Sequence, residues 1–367
     1  MPRAAVFSTN FLDYSQTFVH DEVTHHQRYV VEVFCRKRMY PERFPFEPVH
    51  VGGPLYGATR RSPAFDRVLA SGFDLIHGHF GTGSLYAHPY ARRHSLPLVI
   101  TFHGYDVPLL TSSARFYPKH WTYALLAGGM LRDMTLGLCA SRELLEMLVA
   151  SGVPRERLRL YHLGIDLNAF RRGTPGARLR VLMVGRFVEK KGFEFGLRAF
   201  AQCVQQGLPA ELVLVGKGPL EARLRALVDE LAIAASVQFV GALPSREVAT
   251  LLAEADVLMA PSVVGAHGDR ESGVIVLKEA SASQLPVIGT LHGGIPEIID
   301  DGVTGYLVPE RDVQALSTRL AQLLQDAALR AQLGRAGRAK MEHEYDLTRQ
   351  VQQLEGFYDE ARSLGQR

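Results

Sequence analysis

Runs of residues that are apolar on both faces recur along the chain, and stretches with helical spacing separate them. Residues 4–8, 75–79, 98–103, 136–140, 181–185, 211–216, 237–241, 257–261, 286–290 and 305–308 read as strands. Runs such as LVLVG and VLMVG offer no polar face, which suits a parallel strand covered by helices on both sides. Residues 221–232 and 245–254 carry helical periodicity. Ser141 stands where an N-cap is needed, with Leu144, Leu145 and Leu148 as the buried stripe behind it. From about residue 346 a last helix places Leu347, Val351, Leu354, Tyr358 and Ala361 on one face. Strand–helix alternation at this spacing predicts an α/β fold with parallel sheets. The segment NAFRRGTPGARLR, residues 168–180, is rich in Gly, Pro and Arg and separates two series of strands. Two Rossmann-like domains are therefore expected, residues 1–170 and 171–345, with the helix at 346–367 packing back toward the first.

A chain of 367 residues exceeds one ordinary core, in keeping with two domains. Hydrophobic content of 47% and charged content of 22% describe a globular protein. Cys35, Cys139 and Cys203 are too few and too scattered for a disulfide framework or a zinc site, which points to a reducing, cytoplasmic setting. The start, MPRAAVFSTNF, lacks a basic stretch followed by a long apolar one, so no signal peptide is expected. The most apolar stretch, residues 123–140, is broken by Arg132 and Asp133, so no spanning helix is expected either. Net charge is +3, unevenly spread: residues 1–170 hold 18 Lys and Arg against 14 Asp and Glu, and the remainder 23 against 24. Eleven of the fourteen histidines also fall in the first part. That part is the one to meet an anionic surface, unless the excess is simply a solvated basic face. So slight an excess, without an aromatic–basic platform, argues against nucleic-acid binding.

Candidate chemistry sits at the ends of the second series of strands. In VGRFVEKKG a strand ends at Gly185, and Arg186 and Lys191 follow in the loop, where open α/β sheets bind ligands. Two cations there suit a diphosphate; the plain alternative is a pair of solvated loop cations. In LVLVGKGPLEARL, Gly216 and Gly218 permit close approach of a ligand or make a tight turn. Glu221 occupies the position of the third dinucleotide-fingerprint glycine, so the segment is neither a nicotinamide-cofactor nor a P-loop signature. Glu271 and Glu279 lie eight apart in ESGVIVLKE, the first in a loop and the second inside a helix beginning near Val274. The amides of Gly273, Val274 and Ile275 would point from that helix start toward an anion or a sugar hydroxyl. A carboxylate accepts from two vicinal hydroxyls at once, as holding a ribose or hexose requires.

Taken together these segments resemble the retaining glycosyltransferases of family 4, which have the GT-B fold. The pattern G-R-x-x-x-x-K-G is present at 185–192, and E-x7-E as Glu271 and Glu279. P-V-I, G-G-I-P-E and D-G-x-T-G-x-L-V segments follow. DLIHGHFG (74–81), LPLVITFHGYDV (96–107) and HLGIDLNAF (162–170) extend the likeness to the first half. In overall flavour the chain is similar to bacterial members that build exopolysaccharide or O-antigen units, of the colanic-acid type, on a lipid carrier. The resemblance implies two Rossmann-like domains facing across a cleft, the first binding the acceptor and the second the nucleotide sugar. It implies that Arg186 and Lys191 hold the diphosphate and Glu279 the ribose. Glu271 and the amides of Gly273, Val274 and Ile275 would orient the donor hexose, and His103 would face it. The base would lie against Gly216, Gly218 and Leu243. Where many relatives have a Gly–Gly loop, this chain has NFLDYSQTF (10–18), so Ser15, Gln16 or Thr17 would serve, with Tyr105 also on the acceptor side. Asp106, Glu189 and Lys190 read as loop charges.

Cleaving a glycosyl–phosphate bond leaves negative charge on the diphosphate, which must be stabilised. No D-x-D stands at a strand end, so Arg186, Lys191 and helix-terminal amides are expected to act in place of a metal, with no cofactor beyond a UDP- or GDP-hexose co-substrate. The resemblance implies transfer to a glycan or lipid-linked saccharide. A lipid acceptor needs an apolar groove and a basic rim, which Arg36, Lys37, Arg38, Arg60, Arg61, Arg92 and Arg93 would form, and the basic first domain would be the one to contact an anionic membrane. A small soluble acceptor of the sucrose or trehalose kind, or a non-catalytic sugar-nucleotide binder, remain open at this level.

Overall fold

Every strand predicted from an apolar run forms, and every pairing between strands is parallel. A computed structural model describes all residues except 13–15, 113–116, 175, 177, 267 and 366–367, and the side chain of residue 119. The first sheet comprises β1 (Arg3–Phe11), β2 (Val30–Arg38), β3 (Val49–Val51), β4 (Leu75–His79), β5 (Leu98–Phe102), β6 (Leu136–Cys139) and β7 (Leu158–Leu160), in the order β3-β2-β1-β4-β5-β6-β7. The second comprises β8 (Leu179–Val184), β9 (Ala210–Val215), β10 (Val237–Gly241), β11 (Val257–Ala260), β12 (Val287–Thr290) and β13 (Gly305–Val308), in the order β10-β9-β8-β11-β12-β13. Both are doubly wound orders. In each, the chain direction of travel reverses beside the first strand, between β1 and β4 and between β8 and β11.

The period of two along each strand divides the second unit's core. Val181, Met183, Leu212, Leu214, Val257 and Met259 pack on one face, and Leu182, Val213, Val215, Leu258 and Val287 on the other. In the first unit Phe7 stacks on Phe34 at 5.0 Å, with Phe65 and Tyr90 edge-on or tilted beside them. Ser141 caps its helix, accepting from Leu144 N–H at 3.4 Å, and Leu144, Leu145 and Leu148 are buried as the periodicity requires. β2 escaped the sequence reading because Glu32, Arg36, Lys37 and Arg38 interrupt its apolar run. Glu32 is nonetheless buried, held by Arg3 at 2.5 Å and His50 at 2.8 Å. β3 and β7 are three residues each, too short for a period to show.

Two compact units result, Met1–Gly164 with Leu347–Arg367, and Ile165–Asp346. The division stands six residues before the boundary expected at 170. The three cysteines are buried and unpaired. Among the described residues no helix is long and apolar enough to cross a membrane.

Candidate active site

In the second unit β8 and β11 lie side by side at the reversal of strand order, and the loops after both carry charge. After Val184 the chain passes Gly185 and Arg186, then makes a short turn at Glu189–Lys191. Gly192 follows at φ 62° and starts the helix Phe193–Gln205. A Cβ on Gly192 would fall 1.8 Å from the Pro261 carbonyl oxygen, so only glycine lets this loop lie against the end of β11. The same close packing explains Gly216 and Gly218: their Cβ positions lie 1.8 Å from the Gly185 oxygen and 2.5 Å from the Phe187 oxygen. Both glycines therefore have a packing reason, apart from any ligand. Leu243 is half-buried against the core.

Lys191 and Glu271 meet here. Lys191 Nζ donates to Glu271 Oε2 at 3.1 Å, and its stem lies against Gly185. Lys190, read from the sequence as a loop charge, bonds Asp269 at 3.0 Å and stands 3.6 Å from Glu271 Oε1. At that distance Oε1 has no hydrogen-bonding partner among the described residues. Glu271 is buried, and burial pushes its carboxyl up; Lys191 and then Lys190 outweigh this and hold its pKa at about 2. The result is an ionised carboxylate in a shielded place, its Oε1 buried and without a hydrogen bond among the described residues.

Behind Glu271 lies a second layer. Its own N–H donates to His292 Nε2 at 2.9 Å, and His292 Nδ1 is 2.7 Å from Glu310 Oε1. The helix after the loop runs Ile275–Ala282, burying Leu277 and Ala280. Gly273 and Ile275 stand at its open end; the amide of Val274, the third predicted donor, is directed to the Ser272 oxygen at 3.2 Å. Glu279 lies half-buried on the second turn. Arg186 is exposed on the loop that carries Lys191. The next residue to Glu279, Lys278, is buried under the Tyr345 ring at 4.5 Å, and burial lowers its pKa to about 7.

In the first unit His103 follows β5, its ring 5.0 Å from Phe18 and 4.4 Å from Phe80. Gln16 and Thr17 begin the helix that carries Phe18, so these candidates lie near one another. Ser15 lies outside the described residues. Tyr105 is exposed two residues beyond His103, its hydroxyl 3.4 Å from His120. Asp106 is not the loop charge expected of it: it is wholly buried and accepts from the N–H groups of Gly81 at 2.7 Å and Gly104 at 3.1 Å. It thereby anchors the His103 loop to the helix after β4. Glu189 likewise accepts from Ala266 N–H at 2.9 Å. Of the basic rim, Arg38, Arg92 and Arg93 are paired with Glu47, Asp133 and Asp66, which offsets much of its charge.

His103 Nε2 is 3.1 Å from His79 Nδ1, and its buried Nδ1 has no partner among the described residues. His79 Nε2 lies 3.1 Å from Glu22 Oε1, an ion-pair distance but off the line of a hydrogen bond. Burial, reinforced by His79, holds His77 and His103 well below the usual imidazole range, so both are neutral. Glu22, His77 and His79 bring ligand-type atoms within 4.8 Å. Both ring nitrogens of His77 are already bonded, to Tyr358 and Thr101 at 2.7 Å, and Glu22 Oε2 accepts from Tyr161 at 2.9 Å. His77 is thus committed to hydrogen bonds within the core, while Glu22 Oε1 and His79 Nε2 have no hydrogen bond among the described residues.

The sequence pattern described as Glycosyltransferase Family 4 matches residues 22–169, and that described as Glycosyl transferases group 1 matches residues 165–340. The Escherichia coli (strain K12) glycosyltransferase WcaL, provisionally named for colanic acid biosynthesis, is 34% identical over 308 residues, 79% of this chain and 73% of that protein. The chain belongs to glycosyltransferase family 4. The amylovoran biosynthesis glycosyltransferase AmsK of Erwinia amylovora is 32% identical over 310 residues, 81% of this chain and 73% of that protein. Among solved structures, Anabaena Alr3699/HepE in complex with UDP and glucose superposes with a TM-score of 0.80 over 98% of this chain and 100% of that one, at 18% identity. The fold is GT-B, and the protein is a glycosyltransferase. For this glycosyltransferase, sequence reasoning found Lys191 and Glu271 but missed Lys190, His292 and Glu310 around them. His292 directly precedes the G-G-I-P-E segment, and its position against a turn was the one signal available.

Proposed function

We propose that this enzyme moves a hexose from a UDP- or GDP-sugar to a hydroxyl of a glycan or lipid-linked saccharide in exopolysaccharide synthesis, with retention and without a metal. The observation that carries the reading is the Lys191–Glu271 pair at the reversal of strand order, with Glu271 ionised and Oε1 lacking a hydrogen bond among the described residues. A nucleoside diphosphate sugar offers what each partner lacks: phosphate oxygens for Lys191 and exposed Arg186, and hydroxyl donors for Glu271. Glu279 would take the ribose, the amides at Gly273 and Ile275 would support the sugar, and His103 would contact it.

In the reaction the bond from the sugar's anomeric carbon to the phosphate oxygen breaks, and the acceptor oxygen bonds to that carbon from the same face. The acceptor's proton passes to the departing phosphate oxygen, so no protein base is needed. Arg186 and Lys191 stabilise the charge left on the diphosphate. Both relatives are named for polysaccharide synthesis, which favours a glycan acceptor over a small soluble one. We place the enzyme in the cytoplasm, with the basic first unit at the inner membrane face.

The test is transfer from radiolabelled UDP- and GDP-hexoses to lipid-linked saccharide, with and without EDTA, and anomeric coupling constants measured on the product. An inverted product removes the retaining assignment. Activity abolished by EDTA and restored by magnesium removes the metal-free one.

A further inference from the structure

The amide that precedes the Glu271 side chain is held inside the fold, donating to His292 Nε2 at 2.9 Å. That donation assigns the ring. Nε2 carries no hydrogen, so Nδ1–H donates to Glu310 Oε1 at 2.7 Å. Glu310 Oε2 accepts from Val264 N–H at 2.9 Å, and Arg311 donates to the Val264 oxygen at 2.7 Å. Thr290 holds the Ser262 oxygen at 2.5 Å. Ser262 and Val264 on one side and Glu271 on the other are thus tied to Thr290 at the end of β12 and to residues that follow β12 and β13. His292 is 2% exposed, so water does not replace it as acceptor. Burial alone pushes the Glu310 carboxyl up, but the Val264 amide and His292 outweigh it and keep it ionised.

We propose that His292 and Glu310 are positioning residues for sugar transfer: they fix the main chain at Glu271 so that Oε2 stays on Lys191 while Oε1, without a hydrogen bond among the described residues, is kept for a donor-sugar hydroxyl. This rests on the assignment of Glu271 to the donor sugar. Neither residue touches the donor in this account. Glu310 selects the His292 tautomer, the tautomer supplies the acceptor, and the acceptor sets the direction in which the Glu271 side chain leaves the backbone. A misplacement of about 1 Å in such a group is enough to cost on the order of a hundredfold in rate.

The experiment compares His292→Leu, which removes the acceptor, with His292→Gln, which keeps an amide oxygen within reach of the same N–H, and with Glu310→Gln. Transfer rate, UDP and GDP affinity by calorimetry, the Glu271 carboxyl titration by carbon NMR and the His292 ring by nitrogen NMR are read in each. His292→Leu is expected to lower kcat at least about tenfold, to leave nucleotide affinity within about twofold, and to raise the Glu271 pKa as the carboxylate leaves Lys191. His292→Gln recovers most of the rate, and wild-type His292 shows its hydrogen on Nδ1. Wild-type turnover in a folded His292→Leu variant overturns the proposal, as does a wild-type ring carrying its hydrogen on Nε2. If His292→Leu does not fold, Glu310→Gln and the wild-type spectrum decide. Undiminished turnover in Glu271→Gln would instead sink the sugar assignment itself, while the titration and tautomer results still decide whether the dyad orients Glu271.

Discussion

Replacing Lys191 with Met keeps a stem against Gly185 and removes the charge opposite Glu271. In the native pair the Glu271 pKa falls from 4.5 to about 2, against the upward push of burial. That gap corresponds to about 3 kcal/mol. Because the folded value is depressed, this stabilisation is fully present above about pH 4.5 and is lost as pH falls toward 2. In Lys191→Met the largest remaining influence holding the Glu271 pKa down is Lys190, at 3.6 Å, with a smaller one from His292. Burial then dominates and the pKa is expected to rise above its ordinary value. Denaturant unfolding at a series of pH values should therefore show wild type losing roughly 3 kcal/mol more than the variant as pH falls from 5 to 2. Calorimetry at neutral pH should show nucleotide-sugar binding weakened about 10- to 100-fold, the worth of one charge-assisted contact. If the variant binds donor like wild type and Glu271 still titrates near 2, the pair is an incidental loop contact and the donor site lies elsewhere.

Lys278, whose folded pKa is lowered to about 7 from 10.5, binds fewer protons folded than unfolded, so stability should rise with pH between those values, by about 5 kcal/mol at most, and Lys278→Met should flatten that slope in pH-dependent melting. Gly216→Ala puts a Cβ 1.8 Å from the Gly185 oxygen at φ 146° and should cost about 2 kcal/mol or more, read as a lower Tm, with weaker donor binding as the Arg186 loop shifts. Glu279→Ala should raise donor KM at least about tenfold with a smaller change in kcat; unchanged kinetics would remove the ribose assignment.

What the sequence made legible follows from which forces leave a local trace. Short runs of strand-forming residues ended by turn signals leave such a trace, so β4, β10 and β13 were placed to the residue, although β10 lies at the sheet edge with no residue fully buried and β4 carries His77 and His79. β2 was not, because its Glu32 is buried through Arg3 and His50, partners distant in the chain. The site shows the same division. Arg186, Lys191 and Glu271 follow strand ends, a place the alternation of elements exposes. Asp106 was misread because a short loop charge looks the same whether it is solvated or receives two buried amides. Glu22 precedes His77 and His79 by more than fifty residues, and the pairing of β4 beside β1, which the Glu22 helix follows, brings them together. His292 and Glu310 stand on loops after different strands, and no spacing rule connects them to Glu271.

The placement of Lys191 and Glu271 also explains why each tolerates burial without a ligand. Adjacent parallel strands whose connections wind in opposite directions open a gap at their ends, and the loops after β8 and β11 bring Lys191 and Glu271 together there. A cation or carboxylate buried alone would cost several kcal/mol; paired, both stay ionised in a shielded crevice. Under the proposed reading a donor sugar nucleotide complements both at once, with phosphate oxygens for Lys191 and a hydroxyl donor for Glu271 Oε1 while Oε2 stays on Lys191. An ionised nucleoside diphosphate alone complements Lys191 but brings no sugar hydroxyl to Oε1. The intact donor is therefore expected to bind more tightly than the free nucleoside diphosphate; equal affinities by calorimetry would argue that Glu271 does not meet the sugar.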